Sequence, residues 1–350
     1  MKKIIFTLAA LACAMVGRAQ ISDGVTATLI NGETTQVFYG FDAFKVALDS
    51  AAQTGCSIVL SPGTFSNPGN ITKSVKVYGA GFQPDEANGL SETRVIGDIK
   101  IYITSADAPL PNDVRLEGIY STGSIYLTGY RNHSETISGT EIVKCRFSNF
   151  YNQSASANTI IRQSYFTERI NGEYYMTTDM IIANCIFSYP VGFANGSSVL
   201  VEHCIMFESY YSYGPYLYMG NIIHPQNGYA FAAGATCYYN VGSQVKFANG
   251  VNNVCVGNYD QAEWGSFAQL FADGQDNLDY ADADGNPRTW VLAEPTKYVD
   301  AEGSPCGVTG GNYPWNPTPT LPRILSTSVD SKTTPGKLKV TLKAEARPLE

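Results

Sequence analysis

The sequence has little positive charge. It contains 23 Lys and Arg residues against 31 Asp and Glu residues, so the formal net charge is −8. A protein that binds nucleic acid through its phosphates needs a basic surface, because each neutralised phosphate requires a cation. The composition therefore gives no reason to expect a nucleic-acid partner.

Metal-binding and disulfide patterns are also scarce. Three histidines occur, and no Cys-x-x-Cys pair is present, which excludes the common structural zinc sites. Seven cysteines follow the N-terminal apolar segment. An odd number of cysteines in an oxidising compartment argues against a complete disulfide framework.

Long hydrophobic runs are limited to the N terminus. Lys2 and Lys3 precede an apolar segment from Ile4 to Val16, and small residues follow before Gln20. This pattern predicts a secretory signal peptide over residues 1–19, since about thirteen apolar residues are too few to span a bilayer. We therefore expect an exported protein, secreted or at the cell surface, with no transmembrane segment.

Aromatic residues, in contrast, are abundant. The chain has 23 tyrosines and 16 phenylalanines, and this composition favours β-strands and surfaces that stack against flat ligands. Helix-forming patterns are rare. In residues 41–53, apolar side chains recur three or four residues apart, which predicts one amphipathic helix with Asp42 as its N-cap.

A six-residue motif recurs in the middle of the chain. Ile142–Phe147, Ile182–Phe187 and Val201–Met206 each place apolar residues at positions 1, 4 and 6. Ile161–Phe166 fits the motif when Ser164 takes the place of the cysteine. The motifs repeat about every twenty residues, and a fixed period of this size indicates stacked structural units.

Stacking such units about 4.8 Å apart buries a continuous apolar interior. The sequence thus predicts an all-β fold, a right-handed parallel β-helix (solenoid) of roughly ten to twelve coils over residues 20–316, with an N-terminal cap at about 35–60 that contains the capping α-helix. Asn184 and His203 are expected at the bends of two coils. The columns expected to point inward are Cys145, Ser164, Cys185 and Cys204, and Phe147, Phe166, Phe187 and Met206.

Five segments carry a family resemblance: Phe41–Leu48, Ile58–Phe65, Val75–Gly81, Trp290–Pro305 and Gly310–Pro314. The first three resemble the opening of pectate-lyase-like right-handed β-helix proteins, and the last two resemble the closing turns of such proteins secreted by Bacteroidetes. The resemblance covers about residues 35–315 and implies the fold. The activity stays open, because this scaffold carries lyases, hydrolases, epimerases and non-catalytic surface proteins.

Residues 317–350 are predicted to form a proline-rich linker and a tail. Four prolines between Pro314 and Pro322 favour an extended linker. Beyond them, apolar residues alternate on both sides of Pro335-Gly336, which predicts a short C-terminal β-hairpin laid on the solenoid end. A small Ig-like module or an export signal is the alternative, although about thirty residues are too few for an independent core.

Two carboxylates are the candidates for catalysis. Glu168 and Glu208 are expected on one outward line two coils apart, roughly 9 to 10 Å, with Arg169 nearby. This distance is too long for one shared calcium ion but suits an inverting glycosidase. The enzyme hypothesis is a polysaccharide lyase or glycoside hydrolase acting on pectin-like or other uronic-acid-containing glycans. The alternative is a pair of solvated surface acids.

One loop has the spacing of a calcium site. Asp282, Asp284 and Asn286 place oxygen ligands two residues apart, but no glutamate follows where an EF-hand has its last ligand. Ca²⁺ is the one cofactor that the sequence suggests. The alternative is an acidic surface loop.

Tyrosines provide the main indication of a ligand. Several are expected in loops that leave successive coils on one side of the solenoid: Tyr151, Tyr175, Tyr189, Tyr211, Tyr213 and Tyr216. Sugar rings stack their C–H faces on aromatic rings while the phenol bonds a hydroxyl. We expect a monomeric, non-catalytic protein that binds a polysaccharide or cell-surface glycan, or displays a surface toward one. In the alternative interpretation, these tyrosine rings pack the loops onto the solenoid.

Overall fold

A computed structural model describes most of the chain after the predicted signal peptide. The described residues are 24–84, 90–130, 134–172, 175–189, 191–207, 214–224, 231–242, 247–248, 250–260, 263, 265–281, 287–320, 323–329 and 340–345.

The described chain winds into a parallel β-helix, and most coils contribute one strand to each of two or three long sheets. Sheet A contains, in spatial order, Thr34–Tyr39, Thr26–Asn31, Cys56–Leu60, Val75–Tyr78, Arg115–Glu117, Glu141–Val143, Ile160–Arg162, Met180–Ala183, Val199–Glu202, Leu217–Met219, Thr236–Tyr238 and Val254–Val256. Sheet B contains Gly63–Phe65, Thr93–Val95, Tyr120–Ser121, Arg146–Phe147, Tyr165–Phe166, Ile186–Phe187, Ile205–Phe207, Ile222–His224, Val241–Gly242 and Tyr259–Asp260.

Sheet C contains Asn70–Ile71, Ile99–Ile103, Ile125–Gly129, Phe150–Asn152, Ile170–Gly172 and Gly192–Phe193. A short sheet D contains Thr136–Ser138, Ala155–Ala157 and Thr177–Thr178. In sheets B, C and D the described pairings are parallel, and sheet A is parallel from Cys56–Leu60 onwards. The predicted all-β parallel β-helix is confirmed.

The first coil is covered by a hairpin and a helix. Thr26–Asn31 pairs antiparallel with both Thr34–Tyr39 and Cys56–Leu60. Helix α1, Ala43–Ser50, buries its apolar face against these strands. It is shorter than the predicted segment 41–53, and Asp42 precedes it without a side-chain capping hydrogen bond.

From the coil of Arg115–Glu117 onwards, the chain turns from sheet A to sheet B at one residue with a left-handed backbone. The turn residues have φ between 48° and 68°: Gly118, Lys144, Gln163, Asn184, His203, Gly220, Tyr239 and Gly257. The predicted bends at Asn184 and His203 are therefore confirmed. Most of these residues are not glycine, so the backbone accepts the strain that a side chain brings to this region.

The residue after each bend points into the solenoid. Cys145, Ser164, Cys185 and Cys204 are completely buried there, and the three thiols are free. The next inward column, Phe147, Phe166, Phe187 and Met206, is buried as predicted.

Asparagines continue the cysteine column in the later coils. Asn221 Nδ2 donates to Asn240 Oδ1 at 2.9 Å, and Asn240 Nδ2 donates to Asn258 Oδ1 at 3.0 Å. The same two oxygens also accept from the backbone N–H groups of Asn221 and Asn240. These bonds satisfy amide groups that would otherwise be buried without partners.

A second apolar core lies outside sheet B. After Tyr259–Asp260 the chain folds back over the outer face of this sheet, and we call residues 265–281 and 287–298 the cover. Helix α2, Phe267–Leu270, begins with a capping box between Ser266 and Gln269. This core contains Ile186, Ile205, Ile222, Val241, Phe267, Leu270, Phe271, Leu278, Trp290 and Leu292.

Residues 299–320 run back along the bends between sheets A and B, and we call them the strap. They contact one coil after another in reverse order. The contacts are Gly307 N to Gly220 O (2.7 Å), Asn184 Nδ2 to Val308 O (2.9 Å), Gln163 Nε2 to Pro314 O (2.6 Å), Lys144 Nζ to Thr318 O (2.9 Å) and Thr320 N to Glu117 Oε1 (2.7 Å).

The strap explains why polar bend residues are buried. Lys144, Gln163, Asn184 and His203 are each at most 4% exposed, although they lie on the outside of the coils. Thr318 to Thr320, in the predicted linker, pack on the solenoid. Beyond them, Arg323–Val329 and Val340–Glu345 pair antiparallel.

Candidate functional site

The outer face of sheet C has one side chain per coil in register. Lys100, Tyr126, Tyr151, Asn171 and Gly192 occupy equivalent positions on neighbouring strands. The residues on either side of them in the strands point into the core, so strand alternation turns this column outward. Tyr126, Tyr151 and Asn171 are half-buried, and Lys100 is exposed.

Two tyrosines of this column stack on one another. The ring centroids of Tyr126 and Tyr151 are 5.1 Å apart, with an interplanar angle of 28°. Lys100 Nζ lies 5.6 Å from the Tyr126 centroid. Burial, and then the nearby Asp98 carboxylate, raise the pKa of Tyr126. This phenol is therefore a neutral hydrogen-bonding group at physiological pH.

Beyond Tyr151 the column changes from large to small side chains. Asn171 follows on the next strand, and Gly192 on the strand after that. Among the described residues, a Cβ built on Gly192 would have Asn171 Oδ1, at 3.9 Å, as its one neighbour within 4 Å. We call this space over Gly192, next to Asn171, the notch. The two large rings of the outer column are therefore followed by small side chains.

An arginine and a further tyrosine stand at the corner between sheets B and C. Arg169 Cζ lies 5.2 Å from the centroid of the Tyr189 ring. Arg169 comes two residues before Asn171, and Tyr189 three residues before Gly192. Glu168 is exposed at the same corner, and its carbonyl accepts from Tyr189 N at 3.1 Å. The notch is thus flanked by Tyr151 on one side and by this corner on the other.

Tyr216 is placed differently from its prediction. It is 5% exposed and belongs to the solenoid core, where its hydroxyl donates to Phe193 O at 3.0 Å and accepts from Phe193 N at 2.7 Å. The next strand begins at Leu217, and Tyr218 in its middle points inward. Because side chains alternate, Tyr216 points inward as well and is not part of an outer row.

The other candidate positions are spread more widely. Tyr175 is half-buried and follows sheet C in its coil. Six candidates lie outside the described residues: Glu208, Tyr211, Tyr213, Asp282, Asp284 and Asn286. Among the residues that the structure does describe, no three His, Cys, Asp or Glu side chains are grouped so as to hold a metal ion. No helix within these ranges is long and apolar enough to cross a membrane.

Sequence reasoning missed Tyr126 and Asn171. Ile119 is the counterpart of Cys145 in the preceding coil and lies 26 residues before it. The twenty-residue period of the motif therefore does not extend to the coil that contains Tyr126. The alternation in Ile125–Gly129 is the signal that could have placed it on the outside.

Comparison of the chain with protein-family models, with curated proteins and with solved structures gave no match. The fold and the outer face of sheet C are therefore the basis of the functional argument.

Proposed function

We propose that this chain is an exported protein that binds a polysaccharide on the outer face of sheet C without transforming it. The observation that carries the proposal is the notch beside Tyr151, at the end of the Tyr126–Tyr151 stack. Export through residues 1–19 and a relationship to pectate-lyase-like proteins of Bacteroidetes are part of the same proposal.

The chemistry of the notch suits a sugar ring. An aromatic ring stacks on the apolar C–H face of a pyranose, while phenol and amide groups bond its hydroxyls. Tyr151 supplies the ring, Asn171 an amide, and Arg169 and Tyr189 a polar border. The column runs along the solenoid axis, so an extended polymer laid on it meets one side chain per coil.

The test uses two variants of the notch and one matched control. Tyr151→Ala removes the stacking ring, and Gly192→Leu fills the notch, where the built Cβ meets no close atom of the described residues. Tyr39→Ala removes a tyrosine that is 64% exposed on the N-terminal hairpin and serves as the control. Binding is measured by affinity electrophoresis and calorimetry against a panel of plant, microbial and animal polysaccharides.

We expect the wild type to be retarded by at least one polysaccharide. Both notch variants should weaken this binding about tenfold or more, the usual effect of removing a central aromatic contact, while Tyr39→Ala leaves it unchanged. Absence of binding to every polysaccharide, or equal binding by all four proteins, would overturn the proposal.

A further inference from the structure

A second outward column lies on sheet B, and the cover contacts one end of it at Arg146. Arg94, Tyr120 and Arg146 occupy equivalent positions on three neighbouring strands. Arg94 Cζ lies 5.3 Å and Arg146 Cζ 4.6 Å from the centroid of the Tyr120 ring. The tyrosine is therefore in contact with both guanidinium groups.

Neither of these guanidinium groups has an anionic partner among the described residues. The Nε atoms of Arg94 and Arg146 are buried and make no hydrogen bond in this part of the chain. Other arginines of the protein are paired: Arg115 binds Glu117 at 2.7 Å, and Arg288 binds Asp273 at 2.7 Å. Two cations without counter-charges are unexpected in a chain of net charge −8.

A guanidinium that stacks on a ring keeps its in-plane N–H groups for other partners. Those N–H groups form a planar fork that matches a carboxylate or sulfate with two parallel hydrogen bonds. Both arginines are half-buried, and an anion that docks here would add charge-assisted hydrogen bonds to cations that have no charged partner among the described residues. The column thus has the chemistry of an oxyanion site.

The spacing of the two arginines limits the ligand further. Arg94 and Arg146 are two strands apart along the solenoid axis, about 9.6 Å. This is comparable to the length of one disaccharide in an extended glycan. A polymer with an acidic group on every second sugar would therefore have about the same distance between its charges as the two guanidinium groups have between them.

We propose that Arg94, Tyr120 and Arg146 form a binding site for an acidic polysaccharide that carries one carboxylate or sulfate per disaccharide. The inference rests on the proposed function in that its ligand is a polysaccharide, but it uses a different face of the solenoid. Arg146 also lies 4.0 Å from the centroid of Tyr280 in the cover. Arg94, whose one aromatic contact is Tyr120, is therefore the cleaner position for a test.

The experiment compares four polymers by calorimetry. Hyaluronan carries one carboxylate per disaccharide, and carboxyl-reduced hyaluronan is its neutral counterpart. Keratan sulfate carries sulfate without carboxylate and separates the two kinds of oxyanion. Polygalacturonate carries a carboxylate on every sugar. The variants are Arg94→Gln, Arg94→Lys and Arg146→Gln, and thermal melting shows whether each is folded.

Lys76→Gln is the matched control, because it removes one exposed cation from the outer face of sheet A. We expect the wild type to bind hyaluronan or keratan sulfate at least about tenfold more tightly than the reduced polymer, as for hydrogen bonds to charged groups. Arg94→Gln and Arg146→Gln should remove this preference, Arg94→Lys should keep part of it, and Lys76→Gln should keep all of it.

Two further outcomes separate the inference from the proposed function. Equal binding of acidic and reduced polymers that is lost with Tyr151→Ala would overturn the inference and leave the proposed function standing. A preference for polygalacturonate over hyaluronan and keratan sulfate would overturn the proposal that the ligand carries one acidic group per disaccharide. No binding of any glycan would overturn both proposals.

Discussion

His203 Nε2 lies 3.2 Å from Asp300 Oδ2, across 97 residues of sequence. The other ring nitrogen, Nδ1, lies 3.0 Å from Pro305 O. Gly220 and Gly311 enclose the ring so closely that a Cβ on either would come within 3.0 Å of it. The imidazole therefore joins the strap to the middle of the solenoid.

Replacing Asp300 should weaken the attachment of the strap to His203. The carboxylate also accepts from the backbone N–H groups of Glu302 and Ser304 at 2.9 and 2.8 Å. We expect Asp300→Ala to lower the free energy of unfolding by about 1–3 kcal/mol, the cost of leaving buried groups unpaired. Urea denaturation measures the change. Glu302→Ala, an exposed position on the same loop, should change it by less than about 0.5 kcal/mol; equal effects would contradict the prediction.

The contact between Thr320 of the strap and Glu117 should make stability depend on acid pH. Burial opposes the ionisation of Glu117, but hydrogen bonds from Thr320 and Arg115 outweigh it, so the pKa of Glu117 is lowered. A lowered pKa in the folded state stabilises the protein above the unfolded pKa, and this stabilisation is lost as the pH falls through the folded value.

Glu117→Gln tests this pH dependence. We expect it to cost about 1.5–3 kcal/mol at neutral pH, because it removes one of the two carboxylates that pair with the partly buried Arg115, the other being Glu141. Unfolding curves between about pH 3 and 7 should show a flatter acid dependence for the variant than for the wild type. Parallel pH profiles would show that Glu117 does not titrate as described.

The asparagine column should be costly to interrupt. Asn240→Ala leaves the N–H and side-chain amide of Asn221 without the oxygen that both use. We expect a loss of about 3 kcal/mol in unfolding free energy. Asn70→Ala, at an exposed strand position, is the control and should be nearly neutral. A small effect at Asn240 would mean that water replaces the lost oxygen.

In the neighbouring coils the column should accept an exchange of oxygen for sulfur. Ser164 Oγ accepts from Cys145 N at 3.2 Å, and Cys204 Sγ accepts from Cys185 N at 3.4 Å. The two side chains thus perform the same task. We expect Ser164→Cys to change the free energy of unfolding by less than about 1 kcal/mol. Ser164→Phe should prevent folding, because its side chain is too large for the interior. Calorimetry compares the two variants with the wild type.

The buried thiols should be chemically inert in the folded protein. Burial raises the pKa of Cys145 to about 12, and it raises the pKa values of Cys204, Cys237 and Cys306 as well. The thiolate is the reacting species, so iodoacetamide at about pH 8 should label the half-exposed Cys255 first. The four buried cysteines should be labelled only after the protein has been unfolded in denaturant. Mass spectrometry of peptides locates the label, and rapid native labelling of Cys145 would contradict this view.

The sequence predicts the solenoid well because its signal is periodic. Burial alternates along each strand and repeats every coil, so Cys145 and Phe147 could be placed inside from spacing alone. The strap has no such period. Its contacts join residues such as Lys144 and Thr318, 174 positions apart, and a proline-rich segment shows no pattern that marks it as packed.

The candidate site was predictable in part for the same reason. Tyr151 and Tyr189 each follow the motif within four residues, so both could be assigned to loops on the outside of the coils. The notch could not, since it depends on which residue of each neighbouring strand pairs with Tyr151. That register is set by coil length, and the coils before Tyr151 are longer than the twenty-residue period of the motif.

The strap also determines when folding can finish. A chain of stacked repeats can in principle close one coil at a time as it leaves the ribosome or a translocation channel. Here the early coils are covered by residues near Thr320, which are synthesised after all the coils that the strap contacts. The early coils of the nascent protein therefore stay without this cover until the strap has been made.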